Sequence, residues 1–451
     1  GSTTHNICYC KNERKSHFGT YKNTGGIMIV GIMGILFLML LFMGFPVAYS
    51  MGLAAITALI IEGQIPIVLL SQQFYTALNN FSLLAVPLFI LAGELMNVGG
   101  ITERLVNFTR SLLGHIRGGL AHANIVTNMF MAAISGSAAA DAAAIGSIMI
   151  PAMKRDGYRP EFAVAVTSSA ALMGPIIPPS IVAVLYGSIT NVSIGRLLLA
   201  GAVPGIIAGF GMMIVAYFIS RNEAVAIQER AKINEIVCGA INVAPAAFMP
   251  LIILGGIVSG VFTPTEAAGV AALYGLVFGL ITRKFNRENL YEIFLNSAKT
   301  TSAALITLAG AALFGWVLAR AGTAQFVIHF LTSITDTPQV VLLIIITFLI
   351  LLGGVVETIP AMMLSVPVLT PIASKFGFDP IHFGSLVMMS VVLGAVMPPT
   401  GIVAMICCRI GQVSFSSVMK TIVPFVIWWF MLIALVAIFP QIALWLPDNF
   451  G

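Results

Sequence analysis

Charged residues are scarce in this chain. Lys, Arg, Asp and Glu together make up 9% of its 451 residues, whereas a soluble domain carries about 25%. Hydrophobic residues make up 59%, and the mean hydropathy is +1.01. These values exclude an ordinary soluble protein and predict an integral membrane protein. The net charge of +5 then reflects Lys and Arg in loops, and no nucleic-acid partner is expected.

Cysteine is also rare, and the chain contains neither a disulfide framework nor metal-ligand spacing. Cys8 and Cys10 lie in a polar leader, whereas Cys238, Cys407 and Cys408 lie in apolar runs, where burial is expected. The motifs GxxxxGK[ST], HExxH and GxSxG are absent from the sequence. They are the usual signatures of phosphate-binding loops and of two hydrolase classes, so we predict no enzymatic activity.

The long apolar runs do not show the alternation of a transmembrane β-barrel. Leu, Ile, Ala, Met and Gly follow one another continuously, which predicts an all-α polytopic membrane protein. Several runs exceed the ~20 residues of one span and are expected to be hairpins or pairs of spans. The first spans are predicted near 27–44, 46–62 and 74–99.

The first 26 residues differ from the rest of the chain. Residues 1–26 are polar and lack the apolar core of a signal peptide. They also do not begin with Met, and Met28 is a candidate start. We interpret them as a foreign leader or as the end of a linker from a subunit fused upstream.

Two interrupted apolar segments lie 220 positions apart. GPIIPPS at 174–180 interrupts the run 161–190, and GAVMPPT at 394–400 interrupts the run 381–408. A double proline removes two backbone donors and cannot continue a helix. The backbone groups that it frees are tolerated in lipid only against protein or a polar cavity. Paired broken helices of this kind are typical of the central binding site of a transporter.

The same offset recurs elsewhere in the chain. It relates Pro151 to Pro371, Gly157 to Gly377, Pro160 to Pro380 and Pro204 to Pro424. Two repeats are therefore predicted, 27–219 and 236–446, joined by a cytoplasmic loop at 220–235. Equivalent loops differ in Lys and Arg, which are enriched on the cytoplasmic side: 101–118 contains three arginines, whereas 323–338 contains no Lys or Arg. The two repeats are thus predicted to be inverted in the membrane.

Each repeat contains one further long apolar run, 119–153 or 339–373. The first begins and ends beside basic residues of the same side, which favours a re-entrant hairpin over a span. The expected tips are SGSAAAD at 135–141 and GGVVET at 353–358. Small residues allow the backbone to turn within the membrane and to approach an ion or substrate closely.

Polar side chains at the two tips are candidate substrate-binding residues. They are Ser135, Ser137 and Asp141 in the first tip and Glu357 and Thr358 in the second. Ionisable residues deep in an apolar run are usually functional. Asp141 and Glu357 have an alternative interpretation as helix caps, and the two serines as close-packing residues.

A basic residue follows the second broken helix. Arg409 is a candidate ligand for an anionic substrate, with an interfacial anchor as the alternative interpretation. Unwound carbonyls and nearby hydroxyls form an oxygen-rich shell, which suits Na⁺ and not a soft transition metal. At least two sodium ions are therefore predicted, one in each half. The candidate sodium ligands are Ser135, Gly136, Gly174, Ile177, Pro178 and Ser180 in the first half and Gly353, Gly354, Gly394, Met397, Pro398 and Thr400 in the second.

Three long motifs carry a family resemblance. They are SGSAAADAAAIGSIMIPAMKRDGY at 135–158, MGPIIPPSIVAVLYG at 173–187 and GAVMPPTGIVAM at 394–405. The chain resembles, over 27–446, the large membrane (M) subunit of a TRAP (tripartite ATP-independent periplasmic) transporter. The resemblance implies an elevator-type, sodium-driven importer of a small organic acid in the bacterial inner membrane, with sodium sites at the tips and broken helices.

The resemblance also implies two protein partners. One is a small four-helix membrane (Q) subunit, which is fused upstream in some members, and the other is a soluble periplasmic substrate-binding (P) subunit. Residues 1–26 are similar to the linker of the fused members, and these often transport sialic acid, which is the substrate that we favour.

Other functions remain open at this stage. The alternatives are a C4-dicarboxylate or other sugar-acid TRAP permease, a sodium–dicarboxylate carrier that works alone, and an ion channel or membrane scaffold. A channel would need an open polar path, whereas here the polar groups cluster at two tips.

Overall fold

The computed structural model describes residues 18–450 apart from 64, 65, 67 and 222–229. Regular structure in the described part of the chain is helical throughout, as predicted. Most of the predicted leader at 1–26 lies outside the described residues, but the first helix begins at Phe18 and so includes the end of it. Half of the predicted loop at 220–235 is likewise outside them.

The first half contains ten α-helices among its described residues. They are α1 Phe18–Phe42, α2 Val47–Glu62, α3 Val68–Leu78, α4 Ala85–Val98, α5 Ile101–Leu113, α6 Gly119–Ser135, α7 Ala138–Arg155, α8 Pro160–Ala171, α9 Ile181–Thr190 and α10 Ile194–Ser220.

The second half repeats this order with two differences. The single helix α13 takes the place of α3 and α4, and α20 is an additional helix at the end. Its helices are α11 Ile233–Val258, α12 Pro264–Ile281, α13 Arg287–Arg320, α14 Thr323–Ile334, α15 Pro338–Val355, α16 Thr358–Lys375, α17 Pro380–Gly394, α18 Ile402–Gly411, α19 Phe415–Ile438 and α20 Gln441–Phe450.

The two hairpins turn where the sequence predicts. Gly136 ends α6 with a φ of +65°, a left-handed conformation that glycine adopts without strain, and Ser137 is the N-cap residue of α7. In the second hairpin, extended backbone at Val356 and Glu357 separates α15 from α16. Both turns are two residues long, so the arms of each hairpin pack side by side.

The two broken helices also have the predicted positions. The first break separates α8 from α9 and the second separates α17 from α18. Each contains a cis Pro–Pro bond, at Pro178–Pro179 and at Pro398–Pro399. Ser180 is the N-cap residue of α9, and its hydroxyl oxygen accepts a hydrogen bond from the Ala183 N–H at 3.1 Å.

One predicted span is divided. The segment 74–99 contains the end of α3, a 3₁₀ turn at Phe81–Leu84 and α4, because Asn80 stops the helix and its side chain accepts a hydrogen bond from the Ser82 N–H at 3.0 Å. The corresponding segment of the second half is the single long helix α13. Burial also departs from one expectation, since Cys407 and Cys408 are buried but Cys238, on α11, is exposed.

The packing repeats between the halves, as the sequence does. α2 packs on α13 while α4 packs on α12, and α7 packs on α18 while α9 packs on α16. The repeat relates α2 to α12 and α4 to α13, so the contact of α2 with α13 corresponds to that of α4 with α12. It likewise relates α7 to α16 and α9 to α18, so the contact of α7 with α18 corresponds to that of α9 with α16. The inversion of the halves across the membrane stays a prediction from the loop charges.

The helices form two groups. The frame consists of α1–α5 and α11–α14, and the carrier consists of α6–α10 and α15–α20. They meet where α4, α5 and α11 contact α6 and where α13 and α14 contact α16. Further contacts join α5 to α7, α11 to α10, and both α4 and the 3₁₀ turn before it to α9. Six described helices are long and apolar enough to cross a membrane, or seven if the two pieces of the bent α11 count as one span. The chain is therefore a multi-pass membrane protein.

Candidate functional site

The hairpin tips and broken helices enclose a central cavity of about 420 Å³. Ser135–Asp141 of the first tip and Gly353 with Glu357–Pro360 of the second lie on its wall. Pro175, Ile181 and Val182 from the first break and Ala395, Ile402 and Val403 from the second complete the carrier side. Of the predicted site residues, the cavity brings together Ser135, Gly136, Ser137, Asp141, Gly353, Glu357 and Thr358.

Asp141 holds the first tip together but does not cap its helix. The capping position belongs to Ser137, whose hydroxyl oxygen accepts a bond from the Ala140 N–H at 3.5 Å. Asp141 is 0% exposed, and its Oδ1 accepts a hydrogen bond from the Ser135 hydroxyl at 2.5 Å. Its Oδ2 is buried with no hydrogen-bond partner among the described residues. This oxygen is therefore an acceptor without a donor, and it lies beside Gly174 of the first break.

The second tip presents a carboxylate in the same cavity. Glu357 occupies the N-cap position of α16, but its side chain makes no capping hydrogen bond. Its carboxylate lines the cavity beside Thr358. Glu357 therefore has the position of a capping residue, but capping does not explain why this residue is acidic.

Each tip packs on the broken helix of its own half. In the second half, the Thr400 N–H and hydroxyl both donate to the Gly354 carbonyl, at 2.9 and 2.6 Å. In the first half, a Cβ placed on Gly136 would lie 2.6 Å from the Pro179 carbonyl oxygen, and one on Gly174 would lie 2.7 Å from Asp141 Oδ2. Glycine is thus required wherever the tip backbone meets the break.

Nine of the predicted sodium ligands do not line the cavity. They are Gly174, Ile177, Pro178, Ser180, Gly354, Gly394, Met397, Pro398 and Thr400. The Ser180 hydroxyl donates to the Pro175 carbonyl at 2.5 Å, just as that of Thr400 donates to Gly354. A hydroxyl oxygen that donates still has a lone pair for an ion lodged between tip and break. Their role as sodium ligands stays a prediction.

Arg409 is not part of this cavity. It lies in the last turn of α18, is exposed and does not contribute to the lining. Since α18 begins at the cavity with Ile402 and runs away from it, its last turn is beyond reach. This placement favours the interfacial-anchor interpretation over that of a substrate ligand.

The frame supplies a wall that the motif analysis missed. Ile90, Gly93, Glu94 and Asn97 on α4 line the cavity, and Thr300, Ala303, Ala304 and Thr307 on α13 face them. Both sets have the spacing i, i+3, i+4, i+7 of a single helix face. Polar residues at that spacing in two apolar helices are the sequence signal that could have found this wall.

The ionisable side chains that line the cavity are all acidic. Glu94, Asp141 and Glu357 contribute three carboxylates, and no Lys, Arg or His lines the cavity. The described residues contain no cluster of three or more His, Cys, Asp or Glu side chains that could hold a metal ion. An anion that enters this cavity would meet acidic side chains and no basic one.

Comparison with known proteins identifies the family. The model of the DctM component of the tripartite ATP-independent periplasmic transporters matches residues 34–442. The chain belongs to this family. Its members are TRAP transporter permeases and not enzymes, which confirms that prediction.

Individual relatives agree in architecture but differ in substrate. The large permease protein SiaM of a sialic acid TRAP transporter, from Vibrio cholerae, is 38% identical over 91% of this chain and 96% of its own length. YiaN of Escherichia coli, the large permease of a 2,3-diketo-L-gulonate TRAP transporter, is 32% identical over 88% of this chain and 94% of its own length. The YdaH transporter of Alcanivorax borkumensis has a similar fold, with a TM-score of 0.62 at 13% identity over 94% of this chain and 98% of that one.

Proposed function

We propose that this TRAP permease imports a small organic acid together with at least two sodium ions. The observation that carries the proposal is the composition of the central cavity. Three carboxylates, several hydroxyls and no basic residue line it, so a substrate anion is bound there only when cations offset the negative charge. The unpartnered Oδ2 of Asp141 is the best placed oxygen for such a cation.

Sialic acid is the substrate that we favour. The support is the 38% identity to a sialic acid permease, compared with 32% to a 2,3-diketo-L-gulonate permease. The hydroxyl groups of Ser135, Ser137 and Thr358 on the carrier and of Thr300 and Thr307 on the frame suit a polyhydroxylated acid.

The permease is proposed to act with two partners in the inner membrane. A small four-helix membrane subunit would enlarge the frame, whose helices α1, α2 and α11 expose large apolar side chains such as Ile35, Ile60 and Leu251. A soluble periplasmic protein would deliver the substrate. The family description, tripartite and periplasmic, supports both partners.

Reconstitution tests this function. Proteoliposomes with the permease and its small subunit should accumulate labelled N-acetylneuraminate only when a sodium gradient and the cognate binding protein are both supplied. The same vesicles without binding protein are the control. Rapid uptake of free substrate that the binding protein does not change would contradict the partner proposal, and uptake of a different acid alone would contradict the substrate.

An elevator movement of the carrier against the frame is proposed to expose the cavity to each side in turn. The hairpins and broken helices pack on one another within the carrier, so they are able to move as one body. The central cavity is lined by the C-terminal half of α4, which leads into the basic segment 101–118. By the positive-inside rule the described arrangement faces the cytoplasm.

Cross-linking the frame to the carrier is expected to stop transport. Thr109 on α5 and Thr127 on α6 have hydroxyl oxygens 2.7 Å apart, so a Thr109→Cys, Thr127→Cys pair is close enough for a disulfide. Oxidation should lower uptake more than tenfold, and reduction should restore it. Each single cysteine variant is the control. Full uptake in a preparation shown to be cross-linked would mean that the first hairpin does not travel past α5.

A further inference from the structure

A second cavity, of about 490 Å³, lies at the opposite end of α9 from the central cavity. Ile181 and Val182 at the start of α9 line the central cavity, whereas Gly187, Ser188 and the adjoining Asn191 line the second. α9 has 10 residues, which at 1.5 Å per residue separates the two by ~15 Å.

The second cavity lies on the seam between frame and carrier. Asn80, Ser82 and Pro264 contribute from the frame, and the start of α10 contributes from the carrier. The Asn80 side chain donates to the Ser188 carbonyl at 3.5 Å across this seam. Since Asn80 precedes α4 and the basic segment 101–118 follows α4, the second cavity is on the side away from the basic residues. On the proposed topology it opens to the periplasm.

The lining is partly polar, and it contains one charged residue. Its polar residues are Asn80, Ser82, Ser188, Asn191, Ser193 and Arg196, and apolar residues such as Ile257 and Phe262 form the rest of the wall. This composition is the reverse of the central cavity, where all the charged groups are carboxylates.

The guanidinium of Arg196 is only partly satisfied. Its Nη2 donates to Asp448 Oδ1 on α20 at 2.6 Å. Its Nε is buried and has no hydrogen-bond partner among the described residues. A guanidinium presents its N–H groups in a fixed fork that matches a carboxylate, and leaving one of them buried without an acceptor is unfavourable. The Arg196 side chain is also 39% exposed, so its other N–H groups can donate to a carboxylate in the cavity.

We propose that this second cavity is an outer binding site for a small hydroxylated carboxylic acid. Arg196 is its anchor, the amides and hydroxyls contact the rest of the acid, and Asp448 is the internal carboxylate that the ligand partly displaces. The identification of this acid with the transported substrate rests on the proposed function. Such a site holds the acid on the periplasmic side of the seam before the carrier moves.

Protection of an engineered cysteine measures occupancy of this site directly. Val192 lines the cavity, and Val192→Cys in a chain whose five native cysteines are replaced gives one thiol there. The protein is held in phosphatidylcholine nanodiscs and labelled with N-ethylmaleimide, which is neutral. Millimolar acetate or N-acetylneuraminate should slow labelling, whereas equal chloride should not. Arg196→Gln should weaken protection about tenfold or more, and Asp448→Asn should strengthen it severalfold.

Two controls separate this site from the rest of the molecule. A chain that keeps only Cys238, which is exposed on α11, should show no protection. Asp141→Asn should leave protection of Val192→Cys intact, because Asp141 belongs to the central cavity.

No transport is measured, so a failure of the proposed function does not affect the result. The proposal is overturned if carboxylates give no protection, if chloride or Arg196→Gln protects equally, or if protection needs an anionic lipid headgroup in the nanodisc.

Discussion

Uptake is expected to fall about a hundredfold when Asp141 is replaced by Asn, with the protein still folded in the membrane. The substitution keeps the shape of the side chain and removes the buried charge of the first tip. The Ser135 hydroxyl then bonds to a neutral acceptor, and an amide group replaces the carboxyl oxygen that lies beside Gly174. Hydrogen bonds to charged groups contribute about 1.5–3 kcal/mol, which corresponds to roughly ten- to 150-fold.

Two further variants make this result specific. Ser135→Ala removes the 2.5 Å hydrogen bond but keeps the carboxylate, and it should lower uptake by only about tenfold. Ser147→Ala lies on the same helix, where its hydroxyl bonds to the Ala144 carbonyl at an exposed position, and it should leave uptake unchanged. Near-normal uptake by Asp141→Asn, at equal amounts in the membrane, would show that the carboxylate is a packing element.

Replacement of Gly394 by Ala is expected to cost both stability and transport. An added Cβ would collide with the backbone of Gly353 and Gly354, which cannot yield as a side chain end can. Overpacking of this kind costs about 1–3 kcal/mol, and here it also moves the second tip away from Thr400. Uptake should fall at least tenfold, and the apparent melting temperature of the purified protein should decrease.

The matched control is another glycine in a helix. A Cβ on Gly255 of α11 has no heavy atom within 4 Å, so Gly255→Ala should leave both uptake and melting temperature at the wild-type level. Gly174→Ala tests the equivalent position of the first half, where the Cβ would meet Asp141 Oδ2 at 2.7 Å. Wild-type behaviour of Gly394→Ala would mean that the tip and the break are not held together as described.

The sequence was most informative where a long apolar run is interrupted. The double prolines located both broken helices, and the small-residue tips located both hairpins, because interruptions of an apolar helix need compensation that few residues can supply. The structure adds the contact between a tip and the break of the same half, through the bond from Thr400 to Gly354 in the second half.

The frame side of the cavity was not predicted because its helices are uninterrupted there. Thr300 and Thr307 resemble ordinary helix residues until α4 and α13 are placed opposite the tips, and Glu94 appeared to be a residue near the end of a span. The sequence also left two interpretations of Arg409 open for a related reason. Nearness in sequence to a break does not show in which direction the following helix runs, and α18 leads away from the cavity.

The most direct test of sodium-driven import is the dependence of uptake on sodium and on voltage. In proteoliposomes with all three components, replacing external Na⁺ by K⁺ should abolish uptake of the labelled acid. With two sodium ions and a monoanion, each 100 mV of inside-negative potential adds about 2.3 kcal/mol, which is roughly a fiftyfold rise in the accumulation ratio. Uptake that continues unchanged in K⁺, and that voltage does not alter, would contradict the account.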